Sequence, residues 1–517
     1  MSGEYDLLII GRDGRVINLP SSVAVSVNRY SFADVGGPRA AQFTLSGAAI
    51  DLWSSVQMLG ASVTISGPHG RPVWWGRVQD VLLNINRLQL GWSLTGMANR
   101  VWVAYQRITA GSSGPGTRVT TGTFINPDSV LEYGQFELMA SAGSTNDVAA
   151  ASIAQQTLAQ RGHPIKSLSL SGQKGEIFAQ INCVGWWETL AQRYYANPAG
   201  YIGITSGTTP QNFGEGSGIT RLAQRFQISS VDWEASTISV RLRRVGSPAD
   251  AVRIALWSDA AGVPLAELGG ANVSGLSTSS RWVTVTLPTP VPLSSGAVNY
   301  WVVLSRTGAN DATHHYVTDV DMGNPSITLM RWWNGSVWQA FAPDRDMTFQ
   351  VGGVQENTVQ IAQMVQSAGQ YGLEITFDRT TAITSSQFRD GDRLAKHLIE
   401  DLLSQGASNE RRFLARVDQF RKIWVYEQPR STDEDWSMDT EGNLWQGSAR
   451  HETWRCPAGY WVRIKNIGPA LSMFDNELGW DRVYISEAEY RPGQAEYIPV
   501  AASRIGPSAI VQRLITG

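Results

Sequence analysis

Short runs of alternating apolar and polar residues fill the first hundred positions: Val23, Val25 and Val27, then Phe43 and Leu45, Val63 and Ile65, and Leu88, Leu90, Trp92 and Leu94. A period of two sends successive side chains to opposite faces of a strand, so these runs predict antiparallel strands with one buried face. Breaks at Gly67-Pro68-His69-Gly70 and from Asn84 to Asn86 read as turns, which makes residues 1–110 a small β domain. The pattern then changes. Asn146 or Asp147 caps a predicted helix through Ala149, Ile153 and Leu158 to Arg161, with Gly162 as a left-handed stop. Strand-like segments over 168–172 and 176–185 and a helix over 186–195 follow, and the Gly, Thr and Pro-rich stretch 197–218 reads as a linker.

From 219 to 353 the chain is patterned as an all-β sandwich, with alternating runs such as 236–246, 251–259, 281–288 and 299–308 separated by turn residues. Helical spacing returns at Val359, Ala362, Met364, Val365 and Ala368, so the sandwich is expected to be an insertion between two mixed segments. Leu394, Leu398, Ile399, Leu402 and Leu403 form an apolar stripe on a helix over 391–405, with Asp392 as N-cap and Gly406 as stop. Residues 411–429 alternate as a hairpin. The expected organisation is a β domain (1–110), an α+β part (111–205), the inserted sandwich (219–353), a helix plus hairpin (356–430) and a β-rich end (431–517). The expected fold class is mainly β with α+β segments.

Composition narrows the functions. With 42 basic and 45 acidic residues among 517, there is no general attraction to nucleic-acid phosphates. Two cysteines, Cys183 and Cys456, exclude a disulfide scaffold and a Cys-based zinc module. The opening MSGEYDLLIIGRDGR lacks the pattern of a signal peptide, and no run of ~18 apolar residues occurs, so the expectation is a protein made in a cytoplasm without membrane-spanning helices. Twenty tryptophans and 37 Arg against 5 Lys are the unusual features. Both residue types favour buried interfaces.

Catalytic chemistry is scarce. No phosphate-binding loop, dinucleotide fingerprint, nucleophile elbow or zinc-protease motif is present. IIGRDGR reads as a turn at Asp13-Gly14. His314 and His315 are adjacent in a predicted strand and point to opposite faces, which disfavours a shared metal. Asp319, Asp321, Asp344 and Asp346 could meet as a calcium site or a glycosidase pair, but turn-forming Asp explains them as well. No catalytic residue, cofactor or metal ligand is assigned, and the chain is expected not to be an enzyme. Trp282 and Trp301 sit inside predicted strands and are expected in the core. Trp332, Trp333 and Trp338 flank the Asn334-Gly335 turn of RWWNGSVWQ, so at least one should face outward as a ligand or interface surface.

Three segments, VAVSVNRYSFADVGGPRAAQFTLSG (23–47), VTISGPHGRPVWWGRVQDV (63–81) and LQLGWSLTGMANRV (88–101), resemble the first domain of phage tail hub proteins, the trimeric family of baseplate hubs. Trp75-Gly76-Arg77-Val78 fills the aromatic-Gly-x-Val hairpin, with Asp80 after it. WWETLAQRYY (186–195) with the helix over 356–372 resembles the family's second domain, and the 391–405 helix followed by RRFLARVDQFRKIWVYEQP resembles its helix plus hairpin. The insert, with Leu-Arg-Arg-Val-Gly at 242–246, Ala-Leu-Trp-Ser-Asp at 255–259 and the Tyr-Trp-Val-Val-Leu strand, resembles choice-of-anchor jelly rolls. The resemblance implies β-barrel-like tube domains plus a jelly-roll sandwich in a structural hub of a phage tail tip, located in the virion tail. It implies a homotrimer that joins the tail tube to distal tail proteins, contacts tape measure or central tip and fibre proteins, and lets DNA pass as cargo through a central channel. Ribbons at the two ends of the chain are then expected to complete each other between neighbouring copies. Two other readings stay open: a host-surface glycan adhesin acting through Trp332, Trp333 or Trp338, and a hydrolase using Asp319 and Asp321.

Overall fold

The computed structural model describes residues 5–502 apart from 68–69, 109–116, 171–176, 196–200, 206, 217, 229–231, 323–328, 382, 387–390, 407–410, 430–435, 439–443, 447–448, 452–457, 465–481 and 493–499. The chain is mainly β with α+β segments, and among the described residues none of its sheets closes on itself as a barrel. It divides into two compact units, one of Met1–Tyr195, Ile361–Thr381 and Asp392–Gly517, the other of Ala196–Gln360 and Ala382–Gly391.

The first unit is organised by a long central strand, Pro72–Ile85. One side of it pairs with Ser62–Ser66 and then Leu88–Ser93, and the other side with Ile177–Val184, which leads on to Gly37–Ser46 and Ala24–Ala33. The alternation read from sequence is the cause: in Ser62–Ser66 only Val63 and Ile65 are buried, and they join Ile9, Phe43, Leu45 and Ile181 in one core. Ala24–Ala33 pairs next with Arg482–Tyr490 through Tyr30 opposite Tyr490. Strands near the two ends of the chain therefore pair within one copy. Stacking of Tyr30 on Tyr490, 5.0 Å between centroids, and the Arg29–Glu489 ion pair at 3.4 Å hold that register.

A second, smaller sheet pairs Glu137–Thr145 parallel to Arg100–Arg107. Its face is covered by the helix Asp147–Arg161, which buries Ala150 and Ala154. Asn146 caps that helix by accepting from the Ala149 N–H at 2.8 Å. Gly162 is right-handed, with φ −67°, and its glycine is required by space instead: an added Cβ would lie 2.5 Å from the Leu158 carbonyl oxygen. The predicted helix 186–195 is a 3₁₀ helix, Trp186–Gln192. Its threefold spacing stacks Trp186 on Thr189 and Trp187 on Leu190, which lets all four be buried.

The later helix spans Ala395–Gln405 and starts three residues after the predicted cap Asp392. The Ala395 N–H donates to the Arg193 carbonyl at 2.9 Å, so the backbone just after the 3₁₀ helix replaces a side-chain cap. Leu398, Ile399, Leu402 and Leu403 are buried, as the stripe requires, and Gly406 ends the helix at φ 76°. Phe413–Val417 pairs with Lys422–Glu427 as a hairpin.

The second unit is a sandwich of an eight-stranded and a six-stranded sheet around Phe226, Ile238, Leu256, Val302, Phe349 and their neighbours. The stretch expected to be a linker supplies two of its strands, Tyr201–Ile204 against Phe349–Gly352 and Thr209–Phe213 against Tyr316–Val320. Their brevity and Gly/Pro content hid them, although Phe213 is fully buried.

Candidate functional site

The RWWNGSVWQ segment forms a hairpin of Met330–Trp333 and Trp338–Ala340. Asn334 Oδ1 accepts from the Ser336 and Val337 N–H groups, both at 2.9 Å, and Gly335 takes φ 101°. Strand alternation separates the three tryptophans. Trp332 packs inward against the sandwich core and Phe341, with its indole N–H donating to the Ala340 carbonyl at 3.3 Å. Trp333 and Trp338 pair across the hairpin on the opposite face, 5.3 Å between ring centroids.

That outer face of the six-stranded sheet is aromatic and basic. Trp301 and Val303 share it by alternation, and the register sets Trp257 and Arg225 beside Trp301, Ala255 and Ala223 beside Val303, Arg331 beside Ala223, and Trp333 beside Arg221. Ala223, Val303 and Trp301 are buried beneath the half-buried rings of Trp257 and Trp338. Arg221 lies over the Trp257 ring, 5.9 Å from its centroid. Trp301, expected in the core, is buried on this outer face, where its indole N–H donates to Asp259 at 2.7 Å. Trp282, also expected in the core, is 40% exposed because it points outward from the edge strand Arg281–Leu293. The same-parity series Arg221, Ala223, Arg225 was readable in the sequence; its meeting with Trp257 and Trp333 depends on strand order, which no local pattern carries. An open depression of about 460 Å³ beside Asp259 and Asn299 has its polar groups already engaged, by Trp301 and Gly262 and by Gln227.

Asp319 is held by Arg241 at 3.1 Å and Ser280 at 2.7 Å, Asp346 accepts from Gln224 at 3.1 Å, and Asp344 is exposed. Asp321 faces Asp346 across one strand pair. Among the described residues no group of three or more His, Cys, Asp or Glu could hold a metal ion. His314 pairs with Asp311 at 3.0 Å while His315 is buried, and His69 and Cys456 lie outside the described residues.

In the first unit, the Trp75-Gly76-Arg77-Val78 motif builds a buried clamp. An added Cβ on Gly76 would sit 2.2 Å from the Val184 carbonyl oxygen, so glycine lets the neighbouring strand close in. Arg77 is 1% exposed and forms no ion pair among the described residues. It donates to the Tyr371 hydroxyl and, at 2.9 Å, to the Tyr133 carbonyl, and stacks on Tyr371 at 4.5 Å. Burial lowers its pKa and raises that of Tyr371.

Glu137–Thr145 and Ile165–Ser169 end their sheets among the described residues and contain no proline, and Leu168 and Leu170 are 68% and 79% exposed. The longest edge strand of the sandwich, Arg281–Leu293, carries Pro288, Pro290 and Pro292, all exposed. Proline cannot donate to an added strand, so this edge is blunted and the other two are not.

No protein-family model matches the chain, and no curated protein matches it. Solved structures are similar only distantly. The Cry4Aa toxin of Bacillus thuringiensis aligns at 9% identity and a TM-score of 0.16, over 61% of this chain and 56% of the toxin. A glycoside hydrolase family 43 arabinoxylan arabinofuranohydrolase of Bacillus subtilis aligns at 13% identity and a TM-score of 0.14, over 54% of this chain and 63% of the hydrolase. PorU of Porphyromonas gingivalis aligns at 8% and 0.14, over 62% of this chain and 24% of PorU. The chain thus spans under two thirds of each, and none of these likenesses reaches a shared fold.

Proposed function

We propose that the chain is a non-enzymatic structural hub of a bacteriophage tail tip, assembled as a homotrimer between the tail tube and distal tail proteins. The observation that carries this reading is the pair of proline-free edge strands in the first unit, Glu137–Thr145 and Ile165–Ser169, set against the proline-blunted edge of the sandwich. An exposed edge without prolines is a template for another strand, and ring assembly removes it by pairing across copies. Leu168 and Leu170 add apolar area that a neighbouring copy would cover. The Arg and Trp-rich, Lys-poor composition suits such interfaces, and a net charge of -3 lets DNA traverse a channel without sticking to its wall. The sandwich, blunted by proline along its longest edge strand, is free to decorate the outside.

Native mass spectrometry of the full chain tests this reading. A trimer is expected, and Leu168→Asp with Leu170→Asp should shift it toward monomer while the far-ultraviolet circular dichroism stays unchanged. A monomer at micromolar concentration would overturn the assignment.

A further inference from the structure

Asn126, Asn146 and Asn334 each fold their side chain back over the backbone that follows. Asn126 Oδ1 accepts from the Ser129 N–H at 3.1 Å and Asn146 Oδ1 from the Ala149 N–H at 2.8 Å, whereas Asn334 Oδ1 accepts from two groups, the Ser336 and Val337 N–H, both at 2.9 Å. The residue after each asparagine differs as well. Pro127 has no N–H, and the nitrogen of Asp147 is crowded by its own side chain, but Asn334 is followed by Gly335 in the one Asn-Gly pair of the sequence. Gly335 takes φ 101°, a Cβ added to it would meet nothing within 4 Å, and its N–H donates to no acceptor among the described residues. At the comparable Asp13-Gly14 turn the Gly14 N–H is engaged, donating to the Gly11 carbonyl at 3.0 Å. Residues 334–337 are all exposed. An uncrowded backbone nitrogen open to water thus stands beside a side-chain amide whose oxygen already holds two donors.

We infer that Asn334 is a site of autocatalytic modification, at which the Gly335 nitrogen displaces the side-chain amide. Hydroxide takes the Gly335 proton, the nitrogen attacks Asn334 Cγ, the N–Cγ bond forms, and the Cγ–Nδ2 bond breaks as ammonia leaves with a proton from solvent. Water then opens the resulting five-membered imide at either carbonyl, giving aspartate or isoaspartate, and nothing is oxidised or reduced. Negative charge builds on Oδ1 during the attack, where the Ser336 and Val337 N–H groups already point, as donors do at an oxyanion hole. An aspartate product retains those two donors and binds them more strongly through its charge. Isoaspartate instead carries an extra methylene into the main chain between Trp333 and Trp338, which face each other across the hairpin at 5.3 Å. The hairpin is separate from the edge strands of the first unit, so this chemistry stands or falls independently of the trimer.

Incubation of the folded full chain in ¹⁸O-water at pH 6 and pH 8, followed by peptide mapping, is the test. Position 334 should gain the mass of amide-to-acid conversion with one ¹⁸O, as a mixture of aspartate and isoaspartate, and faster at pH 8 because the attacking nitrogen must lose its proton. Conversion there should outpace that at Asn146 and at the exposed Asn86 by about tenfold or more. Asn334→Gln, which would need a six-membered ring, should show no conversion over the same interval, and Asn334→Asp should keep the far-ultraviolet circular dichroism of the parent chain. Conversion of Asn334 only after unfolding in urea, a rate no greater than at Asn146, or aspartate without isoaspartate would overturn the inference. The first outcome would mean that the two hydrogen bonds hold the amide away from the nitrogen, and the last that water attacks the amide directly.

Discussion

Arg77 shows how a single residue can be required for its shape more than for its charge. Among the described residues its guanidinium has no carboxylate partner, and Tyr371 still donates to the Tyr133 carbonyl at 2.9 Å if the arginine is removed. Replacing an unpaired buried charge by an apolar chain of similar volume is often neutral, whereas truncation leaves a cavity. Arg77→Met should therefore change stability by less than about 1.5 kcal/mol, and Arg77→Ala should lower it by about 3 kcal/mol, read from urea unfolding. Gly185 has a stricter requirement, since an added Cβ would lie 1.7 Å from the Pro38 carbonyl oxygen. Gly185→Ala is expected to cost about 3 kcal/mol or more by the same measurement, because backbone must move. Burial raises the pKa of the Cys183 thiol, so iodoacetamide at pH 8 should leave it unmodified in the native chain and label it in urea, as peptide mapping would show. None of these roles was legible in the sequence. Arg77 stood in a motif, but its burial depends on Tyr133 and Tyr371, which are distant in sequence.

At the scale of elements, period and burial agree where one face is wet. Ser62–Ser66 and the helix Ala395–Gln405 show the side chains expected of them, because their apolar stripes are local facts. Elements whose environment is supplied by distant chain were misread: the 3₁₀ helix at Trp186, the cap taken over by Arg193, and the strands at 201–204 and 209–213. The outward tryptophan pair was half legible, since the Asn334-Gly335 turn announced a hairpin but not which of Trp332, Trp333 and Trp338 faced out. Pro288, Pro290 and Pro292 stand at every second position, but their strand's place at a sheet edge depends on strand order, which no local pattern carries. Replacing these three by threonine should restore donors to the edge strand and raise self-association of the full chain, seen as increased light scattering on concentration. Unchanged scattering would remove the protective role.

At the scale of the whole molecule, the proposed product is an assembled shape. The first unit ties both ends of its chain into one sheet and leaves two other edges without the devices that blunt the sandwich. Asp319 is engaged by Arg241 and Ser280, and Asp346 accepts from Gln224. Hydrogen exchange of the purified full chain is the most direct measurement of it. If copies pair through the first unit, amides in 138–144 should be protected nearly as well as those of the central strand 72–85, while 281–293 exchanges on its outer side as a free edge. Exchange in 138–144 as fast as in 281–293 would contradict the account.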